Sequence, residues 1–363
     1  MRDQIRRISR LIKSVVKQIR FIRFFALLIA CFVLCTIVIG CVISTPETAD
    51  GIKEPTGKLI IYSGRGETLV DPLIQQFRQA TGIDVAIKYA NTAELVATLE
   101  EEGERTPADI FFAQDPGGLG AVQDMFATLP PDLIGLVPQW ASSSKGKWVG
   151  ISGRARTVIY NPGTLSDDDL PDDMWGFVDP KWKGRIGWAP TNSSFQTMVT
   201  AMRSKWGDDK AREWIEGINA NDPTVYPKNT PQIVAVAAGE IDIGFVNHYY
   251  LFRFLAEKGD TFPVRNYHPR SGGPGSVVMV AGVGILSGSE NQGNAEKFVE
   301  FMLSKVAQQY FAGQTFEYPL VEGVKLNRLL IPFAEINHPN IGLDELSDIK
   351  GTVDMLRDTG VLP

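Results

Sequence analysis

The order of hydrophobic patterns between residues 58 and 113 constrains the fold of this chain more than any other feature. Three apolar runs have the composition of buried strands. They occupy residues 58–62, 85–89 and 108–113. A helical pattern that ends at about Ala80 separates the first two runs, and a second helix, opened by Asn91 and Glu94 as a capping box, precedes the third. This order predicts a parallel sheet that binds ligands at the carboxyl edge of its strands.

Two polar loops follow strands of this sheet. Residues 63–67, with the sequence Ser-Gly-Arg-Gly-Glu, follow the first strand, and Gln114 follows the third. Because the carboxyl ends of parallel strands share one edge, we expect Arg65, Glu67 and Gln114 to be neighbours at a cleft. The two glycines let backbone amides form a nest for an anion, but a simple strand-to-helix turn explains them equally well. A dinucleotide fingerprint is excluded because its third glycine is missing.

A long extended run at 148–160 carries two arginines. Arg154 and Arg156 are two residues apart, so they lie on one face of the predicted strand. Such a pair is either surface charge or a pair of guanidinium groups that balances a bound anion. The sequence leaves both interpretations open.

A pair of tyrosines follows another strand pattern, at residues 241–246. Asn247 occupies the position of a helix N-cap, and Tyr249 and Tyr250 open a helix that ends at Lys258. Consecutive residues in a first turn are about 100° apart, so both phenols can reach one cleft. A phenolate is a hard anionic donor, and tyrosine is a known ligand of iron. The alternative is that one ring packs in the core while the other is half-exposed.

Further polar groups precede two more helices. A strand predicted at 182–189 leads through Thr191, Asn192 and Ser193 into a helix from about Phe195. These hydroxyl and amide groups either cap that helix or bind an anion. After Asn229, the sequence predicts a helix with Thr230 as its N-cap and Pro231 in its first turn.

Extended segments at 149–159 and 276–285 have the spacing of crossovers between two lobes. We therefore expect an α/β protein of two lobes, in which the tyrosines of one face the glycine loop of the other across a cleft that closes by a hinge. The first lobe is predicted to contain residues 57–152 and 277–312, where 294–312 forms one amphipathic helix. The second lobe contains 153–276 and 313–363.

The first 56 residues have a different character. Eight basic side chains and one acid lie in the first 23 residues, and an uncharged apolar run follows to Ser44. This pattern predicts an export signal or a retained membrane anchor. Cys41, after a small residue, resembles the lipidation site of a bacterial lipobox, and a polar tether follows it. The three cysteines all lie in this leader, so the remaining chain has no disulfide and no thiol chemistry.

The chain after the leader is acidic, which argues against nucleic-acid binding. It also lacks a serine with a base marked in the sequence, and we expect no enzymatic activity. The three histidines, His248, His268 and His338, have no metal-binding spacing.

From about Lys58 onward, the sequence resembles the bacterial ferric-ion-binding proteins, which are extracytoplasmic receptors of iron ABC importers. Five stretches carry this resemblance. They are Ile-Tyr-Ser-Gly-Arg-Gly-Glu at 61–67, Glu-Glu-Gly-Glu-Arg-Thr-Pro-Ala-Asp-Ile at 101–110, Gly-Trp-Ala-Pro-Thr at 187–191, Asn-His-Tyr-Tyr at 247–250 and Glu-Tyr-Pro-Leu at 317–320. The resemblance implies a two-lobed periplasmic-binding fold of type II, with a mixed, mostly parallel sheet flanked by helices in each lobe.

The resemblance implies that Tyr249 and Tyr250 are ligands of Fe3+. The histidine and glutamate ligands of well-known members are absent here, because the first loop has no histidine and Gln114 stands at the glutamate position. Phe195 stands near the position of the third tyrosine of another branch. A synergistic anion, carbonate or phosphate, is therefore expected to complete the coordination.

The family's anion contacts match the positions of Thr191, Asn192, Ser193, Asn229 and Asn247. Arg154 and Arg156 match a strand that carries an anion-pairing arginine. To these we add Arg65, because its loop faces the metal in the family, while Glu67 is either a further ligand or only a helix-start carboxylate.

These observations predict a monomeric, membrane-anchored extracytoplasmic receptor that captures ferric iron and delivers it to ABC permease subunits. Two alternatives remain. One is a small-anion or organic-solute receptor of the same fold, and the other is a metal-independent extracytoplasmic enzyme or sensor subunit.

Overall fold

The computed structural model describes residues 57–339 and 341–363. The predicted signal, tether and Cys41 lie outside the described residues. The described residues form one compact unit. None of the helices in the described residues is both long and apolar enough to span a bilayer.

Ten strands and eleven α-helices make up the described part of the chain. The strands are β1 (Gly57–Ser63), β2 (Ile83–Tyr89), β3 (Ile110–Ala113), β4 (Val149–Tyr160), β5 (Ile186–Trp188), β6 (Thr224–Val225), β7 (Ile243–Asn247), β8 (Arg265–Tyr267), β9 (Val278–Ile285) and β10 (Tyr318–Pro319). The helices are α1 (Glu67–Thr81), α2 (Thr92–Glu102), α3 (Pro116–Ala121), α4 (Pro131–Ile134), α5 (Ser193–Trp206), α6 (Asp208–Ala220), α7 (Asn229–Ala238), α8 (Tyr249–Lys258), α9 (Gln292–Met302), α10 (Lys305–Tyr310) and α11 (Ile349–Asp358).

The strands form two groups that share β4. In the first group β1 pairs with β2 and β3 in parallel, and β3 pairs with antiparallel β9. In the second group β5 lies parallel to β6 and β7. The first half of β4 pairs with β9, and its second half pairs with β7 and β8. The two-lobed α/β arrangement with β4 as a crossover is thus confirmed, while the residue boundaries of the lobes stay predictions.

The strand–helix order of the first lobe follows the sequence closely. Helix α1 buries Val70, Leu73, Ile74 and Phe77 completely against the sheet. It begins at Glu67 and accommodates Pro72 inside. The Glu94 carboxylate accepts the Asn91 backbone N–H at 3.1 Å, which confirms the predicted capping box.

Four local predictions are wrong. The strand expected at 182–189 is limited to β5, because a 3₁₀ turn occupies Pro180–Trp182. The helix expected at 294–312 breaks at Ser304, which caps α10. Helix α7 already includes Thr230, which therefore is not an N-cap. Asn247 is not an N-cap either, because it is the last residue of β7.

Candidate functional site

The loops after β1 and β3 meet at the carboxyl edge of the first group of strands, as predicted. Gly64 N–H donates to the Phe112 carbonyl at 2.8 Å, and Gln114 N–H donates to Thr92 Oγ1 at 3.1 Å. A Cβ on Gly64 would lie only 2.2 Å from Thr92 Oγ1, and one on Gly118 would lie 2.2 Å from the Thr92 methyl. The glycines therefore allow Thr92 to hold both loops together at the edge.

A cavity of about 750 Å³ opens in front of this edge. Six of the predicted site residues line it: Arg65, Gln114, Thr191, Asn192, Ser193 and Tyr250. Gln114 Nε2 lies 3.5 Å from Ser193 Oγ, so the loop after β3 and the start of α5 approach each other here. The cavity thus brings together groups that are far apart in sequence. Most of its polar side chains are neutral, and its charged lining residues are Arg65, Lys228 and Glu94.

The tyrosine pair lies at the start of α8. The two rings stack, with centroids 4.3 Å apart and planes inclined by 27°. Tyr250 is half-buried and lines the cavity, whereas Tyr249 is fully buried behind it. The Tyr249 hydroxyl has no hydrogen-bond partner among the described residues. One buried and one half-buried ring also fits a structural pair, but a buried hydroxyl without a partner is costly in a purely structural role.

Three buried arginines surround the phenols. Arg65, Arg154 and Arg156 are each at most 1% exposed. The interpretation of Arg154 and Arg156 as surface charge is therefore wrong. Arg154 has no hydrogen-bond partner for any of its three side-chain nitrogens among the described residues, and neither has Nε of Arg65 or of Arg156.

Glu317 is the carboxylate that pairs with this cluster. It forms a buried ion pair with Arg65 and also accepts a hydrogen bond from Ser152. One carboxylate against three guanidinium groups leaves two positive charges uncompensated. Buried charges are normally paired, so this arrangement is suited to anionic groups that arrive with a ligand or form by deprotonation of the phenols.

The position of Glu317 depends on irregular backbone. A π-helical turn at Phe311–Thr315 follows α10, and Phe316 then adopts a left-handed conformation with φ of 57°. Such conformations are uncommon for a bulky residue and cost about 1–3 kcal/mol. The π-helical turn and the left-handed Phe316 change the chain direction, and this directs the Glu317 side chain to Arg65. Sequence reasoning included this glutamate in a family stretch but assigned it no role.

The pKa values of the site reflect its burial. Burial raises the pKa of Tyr249, with a further contribution from Tyr250, while Arg65 and Arg154 act to lower it. Burial lowers the pKa of Arg156 to about 9. Burial also acts to lower the pKa of Arg65, but Glu317 and the phenols outweigh it and the pKa is raised. The phenol of Tyr249 is therefore protonated at neutral pH, while the guanidinium groups of Arg65 and Arg156 remain charged.

Asn247 and Asn192 already have partners in the protein. The Asn247 amide oxygen accepts from Arg156 Nη1 at 3.1 Å, and its Nδ2 donates to Ser194 Oγ at 3.1 Å. The Asn192 side chain accepts the Ser194 N–H at 3.1 Å and caps α5, which begins at Ser193 rather than Phe195. Asn247 thus orients Arg156, and Asn192 keeps only its amide nitrogen free for a ligand.

Two other candidates lie apart from the cavity wall. Asn229 is buried, and neither Oδ1 nor Nδ2 has a partner among the described residues, but it does not line the cavity. Glu67 is exposed in the first turn of α1 and does not line the cavity either. Its position agrees with the alternative of a helix-start carboxylate.

His248 is fully engaged by backbone groups. Its Nδ1 accepts the Ala155 N–H at 3.1 Å, and Nε2 lies 2.8 Å from the Phe316 carbonyl. Burial lowers the pKa of His248 to about 3, so the ring is neutral at physiological pH. With both nitrogens occupied, His248 tethers α8 to β4 and has no lone pair for a metal. Residues 57–339 and 341–363 also contain no cluster of three His, Cys, Asp or Glu side chains that could hold one.

Comparison with known proteins places these features in a family. A family model described as bacterial extracellular solute-binding protein matches residues 72–331. The major ferric iron-binding protein of Neisseria meningitidis serogroup B is 32% identical over 330 residues, which cover 88% of this chain and 95% of that protein.

Two solved structures share the fold. Iron-bound HitA from Pseudomonas aeruginosa matches with a TM-score of 0.80 and 31% identity, covering 84% of this chain and 99% of that one. Trichodesmium IdiA (FutA), in complex with iron and citrate ligands, matches with a TM-score of 0.74 and 27% identity, covering 84% of this chain and 100% of that one. The chain therefore belongs to the bacterial extracellular solute-binding proteins and, within them, to the ferric-ion-binding proteins, whose type II periplasmic-binding fold it shares.

Proposed function

We propose that this chain is the extracytoplasmic receptor of an ABC-type iron importer and that it binds Fe3+ through Tyr249 and Tyr250. The observation that supports this most is the unpartnered, buried Tyr249 hydroxyl beside Tyr250 and an excess of buried arginine charge. The relatives named for ferric iron support the choice of metal. Phenolate oxygen is a hard anionic donor suited to a hard cation.

Charge explains how the site accepts the ion. Each phenol loses a proton to solvent when its oxygen binds the metal, so two negative charges form beside the three positive charges of Fe3+. The positive charge that remains on the ion and the buried arginines is then available to hold an anion. The raised pKa of Tyr249 keeps the phenol neutral until iron arrives. The site therefore couples capture of the cation to release of two protons.

A bound anion would complete the coordination. Two phenolates fill only part of the shell of Fe3+, and the remaining positions face the cavity that Arg65, Thr191 and Ser193 line. Neutral hydroxyl groups and a guanidinium suit an oxyanion such as carbonate or phosphate. We infer that Arg154 and Arg156 keep the site positive enough to retain the oxyanion. Asn192, Asn229 and Asn247 would supply amide groups at the border of the anion site.

Access to Tyr249 requires movement. Its ring is buried behind Tyr250 in the present arrangement, so iron reaches it when the lobes separate about β4 and β9. Closure would then bring Gln114 and Ser193 back together over the ligand. Release to permease subunits would reverse this motion, and a leader retained in the membrane or a lipid on Cys41 would hold the receptor at the membrane surface.

The test is direct measurement of bound iron. The chain from Pro55 onward is mixed with ferric citrate, separated from free iron by gel filtration and analysed for metal. We expect about one iron per chain, with the yield depending on added carbonate or phosphate. A folded protein that retains no iron under either condition contradicts the proposal.

The main alternative is an anion or organic-solute receptor, which the same excess of buried arginine charge would suit. Calorimetry with carbonate, phosphate and citrate in the presence of a strong iron chelator distinguishes the two. Tight binding that survives complete removal of iron would favour the alternative. Binding that requires iron supports the ferric receptor rather than an enzyme or a solute receptor.

A further inference from the structure

We propose that Arg253 is a positioning residue of the iron site, whose guanidinium holds the two tyrosine rings as a pair and stabilises the negative charge of their phenolates. This inference rests on the proposed function. It concerns a residue outside the ligands, the anion contacts and the buried cluster of Arg65, Arg154, Arg156 and Glu317.

The geometry follows from the helix. Arg253 lies four residues after Tyr249 and three after Tyr250, and both spacings place side chains on the same face of α8. Long helical side chains lean toward the N-terminus, so the guanidinium reaches back to the first turn. Its Cζ lies 5.3 Å from the Tyr249 centroid and 5.5 Å from the Tyr250 centroid. Both distances are within the range of cation–π contacts.

Within the described part of the chain, Arg253 Nη2 makes no hydrogen bond that would compete with this contact. This nitrogen is buried and has no hydrogen-bond partner among the described residues. Leaving a charged N–H without an acceptor is unfavourable unless nearby electron density compensates for it. The two rings supply part of that density, and they supply more once the phenols are ionised. A cation equally close to both rings therefore favours the iron-bound state over the iron-free state.

The electronic consequence can be measured. The colour of a ferric phenolate comes from transfer of an electron from the ring to the metal. A cation beside the rings lowers the energy of their electrons, so the transfer requires light of shorter wavelength. Removal of the cation should shift the band to longer wavelength. A residue that only packs against the rings would change affinity without this directed shift.

The chain contains a matched control on the same helix. Lys258 lies 5.5 Å from the ring centroids of both Phe254 and Phe262, so it makes the same kind of contact with rings that bind no metal. The experiment compares wild type, Arg253→Met, Arg253→Lys and Lys258→Met in the full chain, purified in detergent and loaded with ferric citrate. Visible spectra and competition with an iron chelator are recorded for each.

We expect Arg253→Met to absorb at longer wavelength than wild type and to bind iron about tenfold more weakly, a ratio that corresponds to 1.4 kcal/mol. Arg253→Lys, which keeps the charge, should lie between the two, and Lys258→Met should match wild type. If Arg253→Met does not fold, as judged by circular dichroism, Arg253→Gln takes its place with the same expected direction.

Three results overturn the inference in distinguishable ways. A wild-type protein without colour overturns the proposed function and this inference together. A coloured wild type whose band is unmoved in Arg253→Met overturns the role of Arg253 alone. An equal shift in Arg253→Lys and Arg253→Met also overturns it, because the charge would then have no part.

Discussion

The buried ion pair between Arg65 and Glu317 gives the most quantitative prediction. Both side chains are completely buried, and Glu317 also accepts from Ser152. Replacing Glu317 by Gln leaves three buried guanidinium groups with no carboxylate against them. Removal of one partner from a buried pair costs about 3–5 kcal/mol, because the remaining charge cannot be solvated. We therefore expect Glu317→Gln to lower the free energy of unfolding by about this amount.

The assay is equilibrium unfolding in urea, followed by tryptophan fluorescence, on the chain from Pro55 onward. Asp354→Asn is the matched control, because it breaks only the exposed pairs of Asp354 with Lys350 and Arg357 and should cost no more than about 0.5 kcal/mol for each pair. Adding Arg65→Met to Glu317→Gln should recover part of the loss, since one fewer charge is left unpaired. A loss in Glu317→Gln as small as that in Asp354→Asn would show that the Glu317 carboxylate does not compensate the buried arginine charge.

Three further predictions concern pH and packing. Because two phenol protons leave when iron binds, iron affinity should rise by up to about a hundredfold for each unit of pH. Competition with a chelator at several pH values measures this affinity. An affinity that does not change with pH contradicts phenolate ligation. Gly64→Ala should lower the free energy of unfolding by about 1–3 kcal/mol, because its Cβ would lie 2.2 Å from Thr92 Oγ1. The control Gly293→Ala should not destabilise α9, since a Cβ there would have no atom within 4 Å. Equal thermal melting temperatures for the two variants would contradict this prediction. Burial lowers the pKa of His268 to about 4, so the unfolded state binds a proton at higher pH than the folded state does. The free energy of unfolding should therefore fall as pH drops from about 6.5 to about 4, and His268→Gln should remove up to about 3 kcal/mol of this fall. The measurement is urea unfolding at several pH values, and an unchanged pH dependence in His268→Gln would contradict the prediction.

The sequence predicts the architecture well where hydrophobic periods are long and turn residues are unambiguous. The alternation of strands and helices from Lys58 to Ala113 correctly predicts the parallel sheet and the meeting of Arg65 with Gln114 at its edge. The extended runs also correctly predict β4 and β9, which are twelve and eight residues long.

The sequence is less informative where tertiary contacts override local preference. Asn247 has the chemistry of an N-cap, but its amide is used to bridge Arg156 and Ser194, so the strand continues through it. The burial of Arg154 could not be inferred, because an arginine on a strand is usually exposed. The signal that could have indicated it is the apolar or glycine character of eight of the twelve residues of β4.

The role of Glu317 depends on backbone irregularity that composition does not encode. A regular helix continuing from α10 would direct this side chain elsewhere, and only the π turn with the left-handed Phe316 brings it to Arg65. Arg253 was also not predicted, although its i+4 and i+3 spacing to the tyrosines is visible in the sequence. Its contact with both rings depends on their stacking, which the spacing alone does not determine.

The central claim is that Tyr249 and Tyr250 bind ferric iron as phenolates. The most direct test is the visible absorption spectrum of the chain from Pro55 onward with and without ferric citrate, for wild type and for the double variant Tyr249→Phe/Tyr250→Phe. We expect an intense charge-transfer band in the iron-loaded wild type and none in the double variant, with both proteins folded by circular dichroism. A folded wild type that stays colourless, or a double variant that keeps the band, would contradict the claim.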